Sequence, residues 1–374
     1  MRESEVGAVT EDAHPIVKEF IREQLPMIVG VFALAVMAGF LQNGSLPGAD
    51  RAFPVAGVCV PIWHLVWVGI WTGYTMGLVG EASGIFSLPY SMSILQFTGV
   101  AVSPTSLITT FLNPFGALLG YRREKQWNLD FALWLCVGAL VGSPIGPFIR
   151  VYWFHDAEPF KMVIGFALLA MAIHLWIQIT PWYLARTVRQ RLFKEKFDRM
   201  KEEGRRAGRV PAGLPEDFRI ITLRKSLKSV TISYWGEEQT FSVPLMFGIG
   251  LFVGVVASAM GVGGGFMLVP IMATIYGVPM YVLVAATIPF VIVLSVTGLI
   301  SYVITVPMLT GVSASPDWAF GLFIASGAIL GAWVASKTQK FIPERYLKPM
   351  LGSITGLIGI LYIVNYFCQL PFKV

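Results

Sequence analysis

The sequence has little of what soluble enzymes use for chemistry. Only 13% of its 374 residues are charged. Its three cysteines lack metal-ligand spacing, and its four histidines are dispersed, with no cysteine or carboxylate cluster beside them. We therefore expect a protein that is not an enzyme and that has no metal site and no cofactor.

Apolar residues occur in long runs instead. They make up 55% of the chain, and the mean hydropathy of +0.67 is too high for a soluble globule. The first run follows an acidic tail rather than the short basic region of a signal peptide, so we interpret it as an added anchor helix. The pattern predicts an all-α polytopic membrane protein, because eleven runs approach or meet the roughly 20 residues of a spanning helix: 26–42, 60–79, 84–98, 102–120, 130–149, 160–180, 244–260, 265–277, 281–306, 318–336 and 348–367.

The distribution of basic residues predicts the orientation. Residues 181–242 contain 14 Lys and Arg against 8 Asp and Glu, which places this loop in the cytoplasm by the positive-inside rule. The loops 121–128 and 337–347 are also basic, whereas 307–317 contains no Lys or Arg. We expect a cytoplasmic N-terminus and an external C-terminus. The central loop is interpreted as a solvated connector rather than a nucleic-acid site, and alternation over 230–243 predicts a small β-hairpin in it.

An internal repeat divides the membrane segments into two halves. Residues 68–89 align with 249–270, and all five identities are glycine or proline. Matched glycines include Gly69, Gly73, Gly138 and Gly142 against Gly250, Gly254, Gly327 and Gly331. Because corresponding loops differ in charge, the repeats are predicted to be inverted, as in many secondary transporters. The predicted parts are the tail, anchor and external loop (1–59), repeat 1 (60–181), the basic cytoplasmic loop (182–242) and repeat 2 (243–374).

The stretch MGVGGGFMLVP at 260–270 interrupts the apolar pattern of repeat 2. The arms on either side of it are too short to span roughly 30 Å of hydrocarbon as helices. We therefore expect a pair of short broken helices. If Pro270 lies in the first turn of the second arm, residues 261–269 are partly unwound, which is tolerated only where the backbone is buried in protein or lines a wet cavity.

Two interpretations of these glycines stay open. Successive N–H groups at Gly263, Gly264 and Gly265 would form an anion nest at the start of a helix, and Gly264→Val would then abolish anion flux without unfolding the protein. The alternative is close helix packing, which we favour for Gly250, Gly254 and Ser258 because of their small-xxx-small spacing.

Lys and Arg are absent from 60–120 and 244–306, so an anion there would have to be held by N–H groups and hydroxyls. Each hydroxyl could instead make a helix–helix hydrogen bond. Glu81 is the only carboxylate between Asp50 and Glu124 and is a candidate for proton coupling, unless its turn reaches water. The predicted substrate-binding residues are Gly263, Gly264, Gly265 and Thr287 with Ser83, Gly84, Thr105 and Ser106, and Ser87 and Thr109 are further hydroxyl candidates.

Two parts of the sequence resemble a known family. GIGLFVGVVASAMGVGGGFMLVPIM (248–272) followed by GVPMYVLVAATIP (277–289) resembles the second-half motif of the TauE/SafE family of sulfite exporter-like permeases. GLVGEASGIFSLP (77–89) with SPTSLITTFLNPFGALLGY (103–121) resembles its first-half counterpart, although Glu81 and its neighbours replace glycines there. The resemblance implies transport of small sulfur-containing anions, such as sulfite or sulfonates, across the bacterial inner membrane.

The expected function is secondary transport of a small anion by alternating access in a lipid bilayer, with proton coupling through Glu81 as a hypothesis. Two alternatives remain open. One is a passive anion channel, which the same backbone dipoles would serve. The other is a membrane sensor or scaffold that binds a partner through the basic cytoplasmic loop.

Overall fold

The computed structural model describes most of the chain, namely residues 18, 20–79, 84–123, 128–180, 220–234, 237–278, 280–338 and 344–368. Within these ranges the chain is mostly helical, and seven helices are long and apolar enough to cross a membrane. Each predicted apolar run coincides with helix. The prediction of a helical polytopic membrane protein is therefore confirmed.

The helices follow the order of the apolar runs. Before the central loop lie a π-helical turn (Phe20–Gln24), α1 (Leu25–Asn43), α2 (Ile62–Val79), α3 (Gly84–Ser93), α4 (Val102–Arg123), α5 (Leu129–Gly142), α6 (Ile145–Tyr152) and α7 (Ala157–Ile179). After it lie α8 (Val243–Met260), α9 (Gly265–Tyr276), α10 (Met280–Ile300), a second π-helical turn (Ser301–Thr305), α11 (Val306–Thr310), α12 (Trp318–Thr338) and α13 (Glu344–Cys368).

A small antiparallel sheet precedes the second set of helices. Its strands are β1 (Ile221–Lys225), β2 (Ser229–Tyr234) and β3 (Glu237–Ser242), in that spatial order. Strands β2 and β3 pair where the sequence predicts a hairpin, with Tyr234 opposite Glu237. The Asn128 side chain caps α5 by accepting from the Phe131 N–H and donates to the Ile220 carbonyl, so the sheet is fixed to the start of α5.

The two short helices begin at equivalent points of the repeat. Helix α3 begins at Gly84 and α9 at Gly265, each five residues before a proline. Helix α8 ends at Gly261, which has a φ of +77° and donates its N–H to a carbonyl of the preceding turn. Pro270 therefore lies in the second turn of α9 rather than the first, and the unwound backbone is limited to 261–264 instead of 261–269.

Glycines bring the long helices of the two halves into backbone contact. A Cβ atom built on Gly69 of α2 or on Gly327 of α12 would lie 2.0 Å from a carbonyl oxygen of the facing helix. Gly250 of α8 and Gly138 of α5 meet in the same way, at 2.3 Å. The packing interpretation of Gly250 is confirmed, because any side chain at these positions would push the paired helices apart.

We expect Gly327→Ala to lower the thermal unfolding midpoint of the purified protein, because the added methyl group would have to displace α2. Overpacking of this kind costs about 1–3 kcal/mol. Gly248→Ala on α8 is the matched control, since a Cβ atom there meets nothing within 4 Å. Scanning fluorimetry in detergent measures both variants. Equal midpoints would contradict the packing role of Gly327.

Candidate functional site

The broken-helix ends of the two halves contact each other inside the protein. A Cβ atom on Gly84, at the start of α3, would lie 2.7 Å from the carbonyl oxygen of Val262. One on Gly261 would lie 2.4 Å from the carbonyl oxygen of Ser103, in the first turn of α4. Residues 261–266 are buried. The interruption of α8 and α9 therefore lies against α3 and α4, where a protein can satisfy unwound backbone.

The backbone angles explain why the interruption contains glycine at several positions. Gly261 and Gly263 have φ values of +77° and +73°, which disfavour other residues. Gly264 has a φ of −80° and a ψ of −7°. The left-handed conformation followed by the right-handed one is that of an anion nest. Within the described part of the chain, neither Gly263 nor Gly264 donates its N–H to a backbone carbonyl.

Gly264 also has a packing role, which overturns one expectation. A Cβ atom there would lie 2.3 Å from Cε1 of Phe290 and 2.9 Å from Cγ1 of Val253. The expectation that Gly264→Val leaves folding intact is therefore wrong, since the valine would displace the facing side chains. Loss of flux in such a variant would not identify an anion site.

A small cavity lined by hydroxyl groups lies beside the contacting helix ends. Its volume of about 10 Å³ is close to the lower limit for one water molecule. Ser87 and Ser91 of α3 face Thr105, Ser106 and Thr109 of α4 across it. Its other walls are apolar, formed by Phe97, Val102, Phe320 and Ile324.

Two of the lining hydroxyls have no hydrogen-bond partner in the described residues. These are the Oγ atoms of Ser87 and Ser106, in residues that are 2% and 7% exposed. The others are engaged: Ser91 Oγ donates to the Ser87 carbonyl at 2.8 Å, and Thr109 Oγ1 to the Gly321 carbonyl at 3.3 Å. A buried hydroxyl without a partner costs about 1–3 kcal/mol, so two of them on one cavity indicate a place for a polar ligand or water.

Thr105 connects the lining of the cavity to Asp317. Thr105 Oγ1 donates to the Ala101 carbonyl and accepts the N–H of Asp317 at 2.9 Å. The Asp317 carboxylate in turn accepts the N–H groups of Phe320, Val55 and Ala56. It therefore caps α12 and fixes the loop after α1. Burial raises the pKa of the Asp317 carboxyl, and the three N–H donors oppose the increase.

The structure brings together part of the predicted site. Thr105 and Ser106 line the cavity, and Gly84 lies at the contact between the broken-helix ends. Thr287 is on α10, where its Oγ1 donates to the Leu283 carbonyl at 2.9 Å, and it does not line this cavity. Glu81 and Ser83 lie outside the described residues.

Sequence reasoning did not select Ser91 or Asp317. Ser91 lies one turn after Ser87 on α3, so helical periodicity from Ser87 could have indicated it. Asp317 precedes an apolar run directly, which is an N-cap signal. Its contact with Thr105 joins residues 212 positions apart, and no local pattern predicts that.

Seven helices of membrane-spanning length, a broken-helix contact and a hydroxyl-lined cavity are features of a membrane transporter. The described residues contain no group of three or more side chains suited to holding a metal ion. The chain belongs to the sulfite exporter TauE/SafE family, whose model matches residues 65–362. The chain is 21% identical to the probable membrane transporter protein YunE of Bacillus subtilis (strain 168) over 318 residues, which covers 83% of this chain and 97% of that protein. No solved structure matches the chain.

We expect Asp317→Ala to destabilise the protein by on the order of 2–3 kcal/mol, because it removes an N-cap and leaves buried N–H groups unpaired. Hydrogen exchange at Val55 and Ala56, followed by mass spectrometry, should accelerate, and the unfolding midpoint should fall. Asp50→Ala, at an exposed aspartate of the same loop, is the control. Unchanged exchange at both amides would show that the carboxylate does not hold this loop.

Proposed function

We propose that the protein is a secondary transporter of small anions that works by alternating access. Sulfite, related sulfur oxyanions and organosulfonates are the first substrates to test, as the family's description indicates. The observation that carries the proposal is the pair of unpartnered hydroxyls, Ser87 Oγ and Ser106 Oγ, in a cavity beside two broken helices. Broken helices near the interface between repeats are where secondary transporters bind their substrates.

Hydroxyl groups suit an anion that has to leave again. A hydrogen bond from a neutral donor to a charged group contributes about 1.5–3 kcal/mol, enough to select an anion when two or three converge. The cavity is now too small for an anion larger than water. The Phe97 and Phe320 rings, 5.4 Å apart, form part of its wall. In the proposed mechanism these walls separate to admit the substrate, and the described conformation is the closed one.

The contacts between helices support a two-fold relation of the halves. Under the repeat, α2 corresponds to α8, α4 to α10 and α5 to α12. The observed contact of α2 with α12 therefore has a counterpart in the observed contact of α8 with α5. In the same way, the contact of α4 with α12 has a counterpart in the contact of α10 with α5. The contact of α7 with α13 is its own counterpart under the repeat. Together with the opposite charges of corresponding loops, this pattern supports inverted repeats that move against each other.

The hydroxyl groups that line the cavity all belong to the first half. Under the repeat alignment, Leu268 and Met272 of α9 correspond to Ser87 and Ser91, and Ile288 corresponds to Ser106. Leu268 and Met272 are each 1% exposed and belong to the apolar core. We therefore propose that the anion first binds to the hydroxyl groups of the first half. It then moves past the contact of Gly84 with Val262 when the second half moves away from the first.

The remaining parts of the proposal concern orientation and coupling. The basic loops support a cytoplasmic N-terminus and an external C-terminus in the inner membrane, which puts the hydroxyl cavity toward the outside. Glu81 stays the candidate for proton coupling, because it is a carboxylate that lies in the sequence between the end of α2 at Val79 and the start of α3 at Gly84. Gly263, Gly264, Gly265 and Thr287 stay candidates for the opposite side of the path. Ser83 stays a candidate on the first-half side, with Gly84, Thr105 and Ser106.

We expect Ser106→Ala to reduce sulfite transport into proteoliposomes by about tenfold, because a hydrogen bond to a charged substrate is lost. The variant should be at least as stable as the wild type, since Ser106 Oγ is buried and has no partner among the described residues. Ser326→Ala is the control, because that buried hydroxyl already donates to the Phe323 carbonyl at 2.7 Å. Equal loss of flux in both variants would remove Ser106 from the site.

We expect sulfite to accumulate against its gradient when a proton or voltage gradient is imposed on wild-type proteoliposomes. A coupled transporter does this, whereas a passive channel only equilibrates the anion. The measurement is internal sulfite over time with and without an ionophore that dissipates the gradient. If internal sulfite never exceeds its equilibrium concentration, the protein is a passive channel and not a coupled transporter.

A further inference from the structure

A buried arginine lies at the end of α6, close to the glycine-rich interruption. Arg150 is 0% exposed. Its Nε donates to Ser103 Oγ at 3.3 Å, its Nη1 donates to the His155 carbonyl at 3.3 Å, and its Cζ lies 3.7 Å from the centre of the Phe160 ring. Its Nη2 is buried and has no hydrogen-bond partner among the described residues.

This guanidinium forms no ion pair with a carboxylate of the described residues. No acidic side chain of the described residues lies within 4.0 Å of it, and the nearby Asp156 is exposed. The ring of Phe160, a carbonyl, the end of α6 and the attraction of the more distant Asp156 carboxylate compensate part of the charge. Arginine nevertheless stays charged in proteins, and a buried charge whose N–H donors are incompletely paired is destabilising. The arrangement is therefore incomplete as a purely structural one.

Ser103 joins Arg150 to the candidate site. The Ser103 hydroxyl accepts from Arg150 Nε, and its carbonyl is the group that excludes a side chain at Gly261. Ser106, whose hydroxyl has no partner, follows Ser103 by three positions on α4, and residues at this spacing lie on one face of a helix. Beyond them, Tyr302 donates to the Ala259 carbonyl at 3.1 Å at the end of α8.

We propose that Arg150 supplies a fixed positive charge for the transported anion, which binds between Arg150 Nη2 and the hydroxyls of Ser103 and Ser106. This inference rests on the proposed anion transport and adds to it a residue and a substrate preference. The sequence alone predicts a site without fixed charge, because 60–120 and 244–306 contain no Lys or Arg. Arg150 falls outside both ranges and was therefore not included in that prediction.

The chemistry of arginine narrows the substrate class. A guanidinium presents planar, directed N–H donors that fit anions with several oxygens, whereas a halide offers a single centre. One N–H group of Nη2 together with a serine hydroxyl can hold two oxygens of the same anion. The expected substrates are therefore small oxyanions such as sulfite and sulfonates, and chloride should compete poorly.

The test measures sulfite, methanesulfonate and chloride binding to the full-length protein by calorimetry, together with thermal unfolding. We expect Arg150→Met to weaken sulfite binding about 10- to 100-fold, because a charge-assisted hydrogen bond is lost. Without anion the variant should unfold at the wild-type temperature or above it, because an uncompensated charge is gone. Sulfite should no longer raise that temperature.

A second variant and a control keep the test decisive. Arg150→Lys retains the charge and loses the planar donors, so it should bind sulfite more weakly and discriminate less against chloride. Lys161→Met removes a neighbouring buried cation that lies 3.9 Å from Glu158, and its sulfite affinity should equal that of the wild type.

The outcomes separate this inference from the proposed function. If Arg150→Met binds sulfite as tightly as the wild type but unfolds at a lower temperature, Arg150 has a structural role. The proposal of anion transport would then be unaffected. Wild-type protein that binds none of the three anions would overturn both. If Arg150→Met does not fold, Arg150→Lys decides, and wild-type affinity with wild-type discrimination against chloride in that variant would overturn the role of Arg150.

Discussion

Backbone polar groups have to find partners inside the protein when the chain crosses a bilayer, and the rest of this structure depends on that constraint. Helices satisfy it along their length, but the break between α8 and α9 does not. That break is buried, with Val262 against Gly84 at the start of α3 and Gly261 against Ser103 of α4. The long helices around it approach closely through glycines such as Gly69 and Gly327. Close packing thus shields unwound backbone that would be too costly in contact with lipid.

The same packing makes the interior inhospitable to charge, which shapes the candidate site. Hydroxyls line the cavity of the first half, and apolar side chains occupy the corresponding positions of the second. Arg150 is the exception, because it is buried with a free Nη2 and lacks a carboxylate among the described residues. A site with weak donors and one fixed charge would bind an oxyanion without holding it permanently. Transport requires both properties.

Much of the fold could be predicted because each membrane helix is marked by a local run of apolar residues. The eleven apolar runs correspond to the observed helices, and the anchor run 26–42 matches α1. Exact boundaries were less predictable. Pro270 lies one turn further into α9 than expected, because Gly264, not the proline, sets the start of that helix. The glycines of 261–265 pointed to a break, but the φ angles of Gly261 and Gly263 and the contact of Gly264 with Phe290 are separate causes that no pattern distinguishes.

The sequence by itself determined the class of protein and the positions of the helices, and it predicted a repeat that relates the two halves. These properties depend on hydrophobic run length, loop charge and repeated glycines, all of which are local or periodic. Only the tertiary structure decided which hydroxyls face one another and which stay unpaired. Thr105 accepts the N–H of Asp317, and Ser103 accepts from Arg150, through contacts between distant parts of the chain. Ser87 and Ser106 line one cavity without a hydrogen-bond partner among the described residues. A serine, threonine or arginine has the same appearance in a sequence whether it packs, caps or binds, because its role is set by the partners that folding brings to it.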